Sequence, residues 1–424
     1  MLKWLPAALF CLALTLLSAC GGGGAESPAA REGVVDLTRW DFSASGAVEL
    51  RGQWGFVWGS DPTAAFSGDF PQFIDQPGVW NRAGHPGLGR ASLALTVMLP
   101  AGAPPLALTL PDVNSAYRLH LNGSPALQVG RLGDEAATEI PVYQRPLVRV
   151  PPGTRHLEIV IEISNHHHFE GGLGRALRLG PTEALEAERG SRQLVSVAAL
   201  GALLVVLLLQ LAFWAGGRHD RAFLLFAAFT ALMAARASAS GLVYAIVDPN
   251  LRADIWYLVP AYLTLFAFPG IYLAFLRELF PAEVPRLVVR PVVWLSLAAA
   301  AAVLVLPPAL YTRLRDPFQV LVLLAPLAGL TMLAVAVWRR RPGAGWMLAG
   351  SSAFVATVVN DSLHYQRVIE SADLSSLGFA ALAVGYAAAL SLKLFRSESE
   401  ASARLAVLNR DLEDKVAERT ASLA

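Results

Sequence analysis

With 424 residues, 54% of them hydrophobic and 16% charged, the chain is too apolar for a soluble globular protein and reads as a membrane protein. A net charge of +1 leaves no basic stripe for phosphate, so no nucleic-acid partner is expected. Both cysteines, Cys11 and Cys20, fall within the first twenty residues, so no disulfide framework supports the rest of the chain.

Lys3 precedes an apolar run, Trp4 to Leu17, that is too short for an ordinary spanning helix and has the form of a secretory signal over residues 1–20. Leu17, Ser18, Ala19 and Cys20 resemble a bacterial lipobox, in which Cys20 would be acylated after cleavage and would anchor the chain to membrane lipid. Residues 21–32, beginning GGGG, are expected to be a flexible tether without a core.

Between residues 33 and 182 the pattern changes to period two. Leu93, Leu95, Val97 and Leu99 alternate with small or polar residues, as do Leu157, Ile159, Ile161 and Ile163. Turn signals separate the runs, among them the NGS of 122–124 and the PPGT of 151–154. The expected fold is an all-β sandwich of jelly-roll type. A polar linker, 183–193, follows it. Seven apolar stretches come next, near 194–215, 221–241, 254–276, 291–307, 318–338, 343–363 and 373–395, each of bilayer length. Prolines 291, 307 and 308 crowd the ends of the fourth.

Arginine placement sets the orientation. With the sandwich outside, Arg218, Arg221, Arg277, Arg286, Arg290 and Arg339 to Arg341 lie inside, against Arg252, Arg313, Arg315 and Arg367 outside. That is the positive-inside arrangement, and it puts residues 397–424 in the cytoplasm of a bacterial inner-membrane protein.

LRGQWGFVWG at 50–59, AYRLHLNG at 116–123, IEISNHHHFEGGLG at 161–174, VVNDSLHY at 358–365 and LNRDLEDKVAERT at 408–420 together resemble the bacterial seven-transmembrane receptors with diverse intracellular signalling modules. The resemblance spans nearly the whole chain after residue 32. It implies a periplasmic jelly-roll similar to carbohydrate-binding modules, a seven-helix bundle over 194–396, and a cytoplasmic output such as a histidine kinase or diguanylate cyclase. No kinase His-box, cyclase loop or phosphate-cradling glycine loop is recognisable after residue 396, so no catalysis and no cofactor are expected, and the output is assigned to a separate or lost module.

A small extracellular ligand, such as a carbohydrate, would meet aromatic faces and a few fixed polar groups. By type, the candidates are Trp80, Tyr117, His120, Asn122, Asn165, His166 and His168, whereas Trp54, Phe56 and Trp58 alternate and belong to the core. Three successive histidines on an extended segment cannot converge on one ion, so the run at 166–168 is read as a polar rim loop rather than a metal site. Within the membrane, Arg236, Asn360 and Asp361 form an expected polar cluster at the outer ends of the second and sixth spans. Leu405, Leu408, Leu412, Val416 and Leu423 give the last segment a coiled-coil pattern with one stutter, and with it a homodimer seam. The competing reading is a transporter or channel with an accessory periplasmic domain, for which no internal repeat is evident.

Overall fold

The computed structural model describes residues 27–111, 113–218, 221–238, 252–365, 369 and 374–423. Residues 1–20 with Cys20, and most of the tether, lie outside the described residues, as do the end of the second expected span and the start of the seventh.

The first half folds as β1 (Ala29–Ala30), β2 (Val34–Asp36), α1 (Phe42–Ser45), β3 (Val48–Trp58), α2 (Thr63–Ser67), β4 (Gln72–Gln76), β5 (Gly78–Val79), β6 (Gly89–Met98), β7 (Leu106–Thr109), β8 (Ala116–Leu121), β9 (Ser124–Val129), β10 (Leu147–Arg149), β11 (His156–Asn165), β12 (Gly172–Leu173) and β13 (Leu177–Pro181). The strands run in the order β10-β7-β13-β3-β6-β11-β8-β9, with the small β5/β12 pair apart. β3 joins the two layers of this mostly antiparallel sandwich. Its first residues, Val48–Leu50, pair with β13, and its last, Gly55–Trp58, pair with β6. Between them sits Gly52 with φ +106°, where a Cβ would lie 2.4 Å from the Ala30 carbonyl oxygen, so only glycine fits. That contact corrects the tether expectation. Ala29 and Ala30 form β1, parallel to Arg51 and Gly52, and Ala30 is buried.

Alternation decides which face is inside. Leu93, Leu95 and Val97 of β6, Leu119 and Leu121 of β8, and Leu157, Ile159, Ile161 and Ile163 of β11 all enter one core with Trp54 and Phe56, and Trp58 packs against it. Each such side chain contributes about 1.5–3 kcal/mol on burial. The β8–β9 hairpin turns on Asn122 and Gly123, both at positive φ (49° and 74°), the two-residue turn whose twist matches the strands.

The second half is helical: α3 (Thr182–Phe213), continued by a π turn at Trp214–Arg218, then α4 (Arg221–Ala237), a π turn at Asp254–Leu258 leading into α5 (Val259–Leu279), α6 (Arg286–Val305), α7 (Pro308–Tyr311), α8 (Arg315–Trp338), α9 (Ala344–Tyr365) and α10 (Ser375–Leu423). Among the described residues four helical stretches are long and apolar enough to cross a membrane: Thr182–Gly216, Asp254–Leu279, Arg286–Val305 and Pro308–Trp338. Ala344–Asn360 and Gly378–Leu392 are shorter apolar helices. The fourth expected span begins five residues earlier than its apolar run, because Pro291 is accommodated inside α6, which ends before Pro307 and Pro308.

Two features shape the bundle. Residues 183–193 are the first turns of α3 rather than a linker, because β13 ends at Pro181 and the helix starts at Thr182. Arg149 of β10 and Arg178 of β13 hold Glu186 and Glu188 of those turns at 3.0 and 2.7 Å. Elsewhere α9 and α10 approach through glycines. A Cβ on Gly350 would meet the Ala381 carbonyl oxygen at 2.8 Å, and one on Gly385 the Trp346 carbonyl oxygen at 2.6 Å.

Candidate functional site

The chain leaving β11 turns back on Asn165. Its Nδ2 donates to the carbonyls of Gly87 (2.8 Å) and His168 (2.7 Å), and its Oδ1 accepts from Ser115 Oγ and His168 N, both at 3.2 Å. Asn81 braces the same loop, donating to the Phe169 carbonyl (3.0 Å) and accepting from Gly171 N (3.1 Å). Gly171 is required here, since a Cβ would fall 2.1 Å from the Trp80 indole. A loop with its base satisfied in this way presents its tip, residues 168–170, in one conformation.

That tip meets the helices. Glu170 accepts a two-pronged contact from Arg315 at the start of α8, with both Nη atoms 2.9 Å from its carboxylate oxygens. The Arg315 guanidinium lies 4.6 Å from the centre of the Phe169 ring. Phe169 N donates to Thr312 Oγ1 at 3.2 Å, and His168 Nε2 is 3.1 Å from the Tyr262 hydroxyl on α5. Arg315 and Glu170 are one-third and one-quarter exposed, so their attraction is only partly screened, and the paired geometry adds direction to it.

His168 is neutral in this setting. Burial pushes its pKa below the ordinary imidazole value, and the Arg315 charge pushes the same way against a stabilising bond to the Glu170 backbone. Its Nδ1 lies 3.0 Å from the Glu170 carbonyl oxygen. The Glu170 N–H also points at Nδ1, at 3.2 Å, so the backbone of Glu170 offers Nδ1 both a donor and an acceptor while Nε2 faces the Tyr262 hydroxyl.

A second contact lies beside the first. Ala253 N donates to the Pro141 carbonyl at 2.8 Å, Val142 bridges Arg252, and the rings of Tyr143 and Tyr257 stack with centroids 3.7 Å apart. Together with the unbroken passage from β13 into α3, these contacts join the sandwich to the helices at three places among the described residues.

The structure distributes the sequence candidates unevenly. Trp80, Tyr117 and Asn165 are fully enclosed, so they cannot touch a ligand in this conformation; the first two fill the core and the third builds the loop. Asn122 is a turn residue whose Oδ1 accepts from Glu158 N at 2.8 Å. His120 places Nε2 2.8 Å from Glu162 Oε1 and its ring edge-on to Phe66 on the outer sheet face. His166 Nε2 is 3.1 Å from the Gly133 carbonyl. The rim-loop expectation is corrected too: His167 and His168 are buried, because the loop docks on helices instead of facing solvent. Arg236 is exposed, with Nη1 3.5 Å from the Ala261 carbonyl, and Asn360 is buried on α9. The side chain of Asp361 lies outside the described residues, as do those of Val416 and Leu423.

The residues that make the junction, Glu170, Arg315, Tyr262, Thr312, Tyr143 and Tyr257, were not among the sequence candidates. The available signal was a carboxylate beside an aromatic in the 161–174 motif, and an arginine opening an apolar helix.

A β-sandwich clamped by polar contacts to the ends of membrane-length helices defines a membrane protein with a β-domain and a helical bundle. Residues 192–396 match the family described as 7TM diverse intracellular signalling. The helical half of the chain is thus similar to a family of transmembrane signalling proteins. No curated protein matches the chain. Solved structures with some likeness include a β-glucuronidase of Faecalibacterium prausnitzii, with 16% identity over 32% of this chain and 31% of that one and a TM-score of 0.26. Another is a putative β-galactosidase from Bacteroides fragilis, with 17% identity over 31% of this chain and 22% of that one and a TM-score of 0.24. The chain thus spans less than a third of those enzymes, and at such scores the likeness carries no argument about ligand or activity.

Proposed function

We propose that the chain is a receptor whose β-sandwich lies on the outer side of a bacterial inner membrane and biases the packing of a seven-span bundle that ends in a cytoplasmic helix. The observation that carries this reading is the Glu170–Arg315 clamp with Phe169 beneath it. A charged, partly exposed contact between two otherwise separate cores can open and close, whereas a buried apolar seam would only hold. A ligand that binds the sandwich better in one docked state than in the other shifts that equilibrium by its difference in affinity.

The other end of the path is α10. It runs 49 residues, about 70 Å, far beyond its apolar part Gly378–Leu392. Leu405, Leu408 and Leu412 on the extension are more than half exposed, which favours pairing with a second copy. The arginines at the inner ends support the orientation. In this reading the cytoplasmic helix passes the change on to an output module.

The test uses the full chain in lipid nanodiscs, with hydrogen exchange at the Phe169 and Ala253 amides reporting docking and spin labels at residue 404 reporting the helix pair. Glu170→Gln is expected to raise exchange at both amides and to change the distance distribution at 404. Undocking that leaves the distances at 404 unchanged overturns the relay.

A further inference from the structure

The helices that take the clamp carry a group of arginines at their other ends. α5 rises about 25 Å from Tyr262 to Leu279, and α8 about 35 Å from Arg315 to Trp338, so both run away from the sandwich. Where they end, the turn after α5 and the turn after α8 are tied together. Glu283, its side chain 1% exposed, accepts from Arg341 Nε at 2.8 Å and from Arg339 Nη1 at 3.4 Å. Arg277 donates to the Val284 carbonyl and fixes the same turn. One buried carboxylate is thus shared by two guanidiniums that are themselves nearly half exposed.

Three further cations join this pair. α6 begins three residues after Glu283, and its first two turns carry Arg286 and Arg290, both exposed. Arg340, between the two arginines held by Glu283, is exposed as well. None of the three has an anionic partner among the described residues, and the other acid nearby, Glu278 on the last turn of α5, is exposed. Arg340 also holds φ +54°, the left-handed region that favours glycine, so its backbone does not explain its presence. The surroundings indicate the kind of anion. One face of α6 carries Arg286, Arg290, Trp294, Leu297 and Leu304, spaced by 4, 4, 3 and 7 residues. Trp294, Leu297 and Leu304 are 71%, 55% and 70% exposed, and Trp338, which immediately precedes Arg339, is 81% exposed. Charge, aromatic ring and aliphatic surface therefore follow one another along the helix, which is the order of phosphate, interface and acyl chain in a phospholipid. A soluble anion or an acidic protein surface would leave the apolar part of that face without a role.

We infer that Arg286 and Arg290 of α6, with Arg340 and its neighbours after α8, form a binding site for the headgroup of an anionic phospholipid whose acyl chain lies along Trp294 and Leu297. Guanidinium suits the task, because its forked N–H donors match the oxygens of a phosphate. The bound phosphate joins Glu283 in tying the turn between α5 and α6 to the turn after α8. It thereby steadies, at the face away from the sandwich, the two helices that hold Tyr262 and Arg315 at the other. The site depends on the bundle lying in a membrane and stands apart from the receptor reading.

Native mass spectrometry of the full chain, released from nanodiscs of equal phosphatidylglycerol and phosphatidylcholine with the same acyl chains, reads the site directly. The wild type is expected to retain phosphatidylglycerol in preference to phosphatidylcholine. An arginine near an anionic lipid surface is worth about fivefold, so Arg286→Gln combined with Arg290→Gln should lower that preference by about 25-fold. Neither side chain has an ion-pair partner to lose among the described residues, so the unfolding midpoint in neutral detergent should not change. Arg340→Gly separates charge from fold. Glycine takes the positive φ without strain, so the preference should fall about fivefold while the midpoint stays level or rises. Arg404→Gln is the control. It lies 15 residues, about 22 Å, beyond Ala389, which packs at Gly343, and should keep the wild-type preference. Equal retention of the two lipids by the wild type overturns the proposal, as does a preference that survives the double variant undiminished or falls as far in Arg404→Gln.

Discussion

At the scale of single residues, Arg315 shows why the junction depends on geometry as well as charge. Its two Nη atoms match the two Glu170 oxygens, and its flat guanidinium lies beside Phe169. Lysine keeps the charge but supplies neither the fork nor the flat face. Arg315→Lys is therefore expected to weaken docking by about 1–2 kcal/mol, a five- to thirtyfold rise in exchange at Phe169 N. An unchanged rate would show that charge alone holds the contact. His168 gives the junction an acid limit. Its folded pKa lies below the unfolded value of about 6.5, so the unfolded or undocked state binds the proton more readily. The stabilisation is complete above about pH 6.5 and is lost as pH falls through that value toward the folded pKa. Exchange at Phe169 N should rise between pH 6.5 and 5 in the wild type and stay level in His168→Gln. A parallel rise in both would remove His168 from the account.

At the scale of elements, the α9–α10 pair depends on close backbone approach. Gly350 faces the Ala381 carbonyl and Gly385 the Trp346 carbonyl, so a leucine at either site must drive the helices apart. Gly350→Leu is expected to cost about 1–3 kcal/mol of overpacking, read as a lower unfolding midpoint in detergent. Gly345→Leu, on the same helix but with nothing within 4 Å of its Cβ, should leave the midpoint unchanged. Equal effects from the two would mean that helix propensity, and not the seam, is being measured. The elements themselves were largely legible in the sequence, because their causes are local. Period two in β6 and β11, the positive-φ Asn122–Gly123 turn and the alternation of Trp54, Phe56 and Trp58 each leave a mark within ten residues. The junction was not legible, because Glu170 and Arg315 lie 145 residues apart and neither is unusual in its own neighbourhood. Residues 183–193 were read as a linker for a related reason. Their polarity comes from pairing Glu186 and Glu188 with the sandwich, and it masked the continuity of α3.

At the scale of the whole molecule, the sandwich is attached in two ways that act in parallel. One is covalent and stiff, β13 running into α3 with Arg149 and Arg178 bracing its first turns. The other is non-covalent, through residues 140–143 and 168–170 on α5, α8 and the turns before them. A stiff arm and a breakable clamp cannot both be satisfied if the arm is re-indexed. One alanine inserted between Gly190 and Ser191, after the braced glutamates and before the apolar part of α3, turns the sandwich by about 100° and lifts it by about 1.5 Å relative to the bundle. That displacement exceeds the tolerance of a two-pronged ion pair, so exchange at Phe169 N and Ala253 N should rise at least to the level of Glu170→Gln. The sandwich core amides, such as those of Ile161 and Leu95, should stay protected because the insertion touches neither layer. A flexible insertion of Gly-Ser-Gly-Ser at the same place frees the arm, and is expected to let the clamp re-form with near wild-type protection. If the single alanine leaves both amides protected, α3 is not a stiff arm and the loop contacts alone set the pose of the sandwich. If the flexible insertion also leaves them exposed, the clamp is too weak to dock the sandwich without the helix, and the stiff arm carries the coupling.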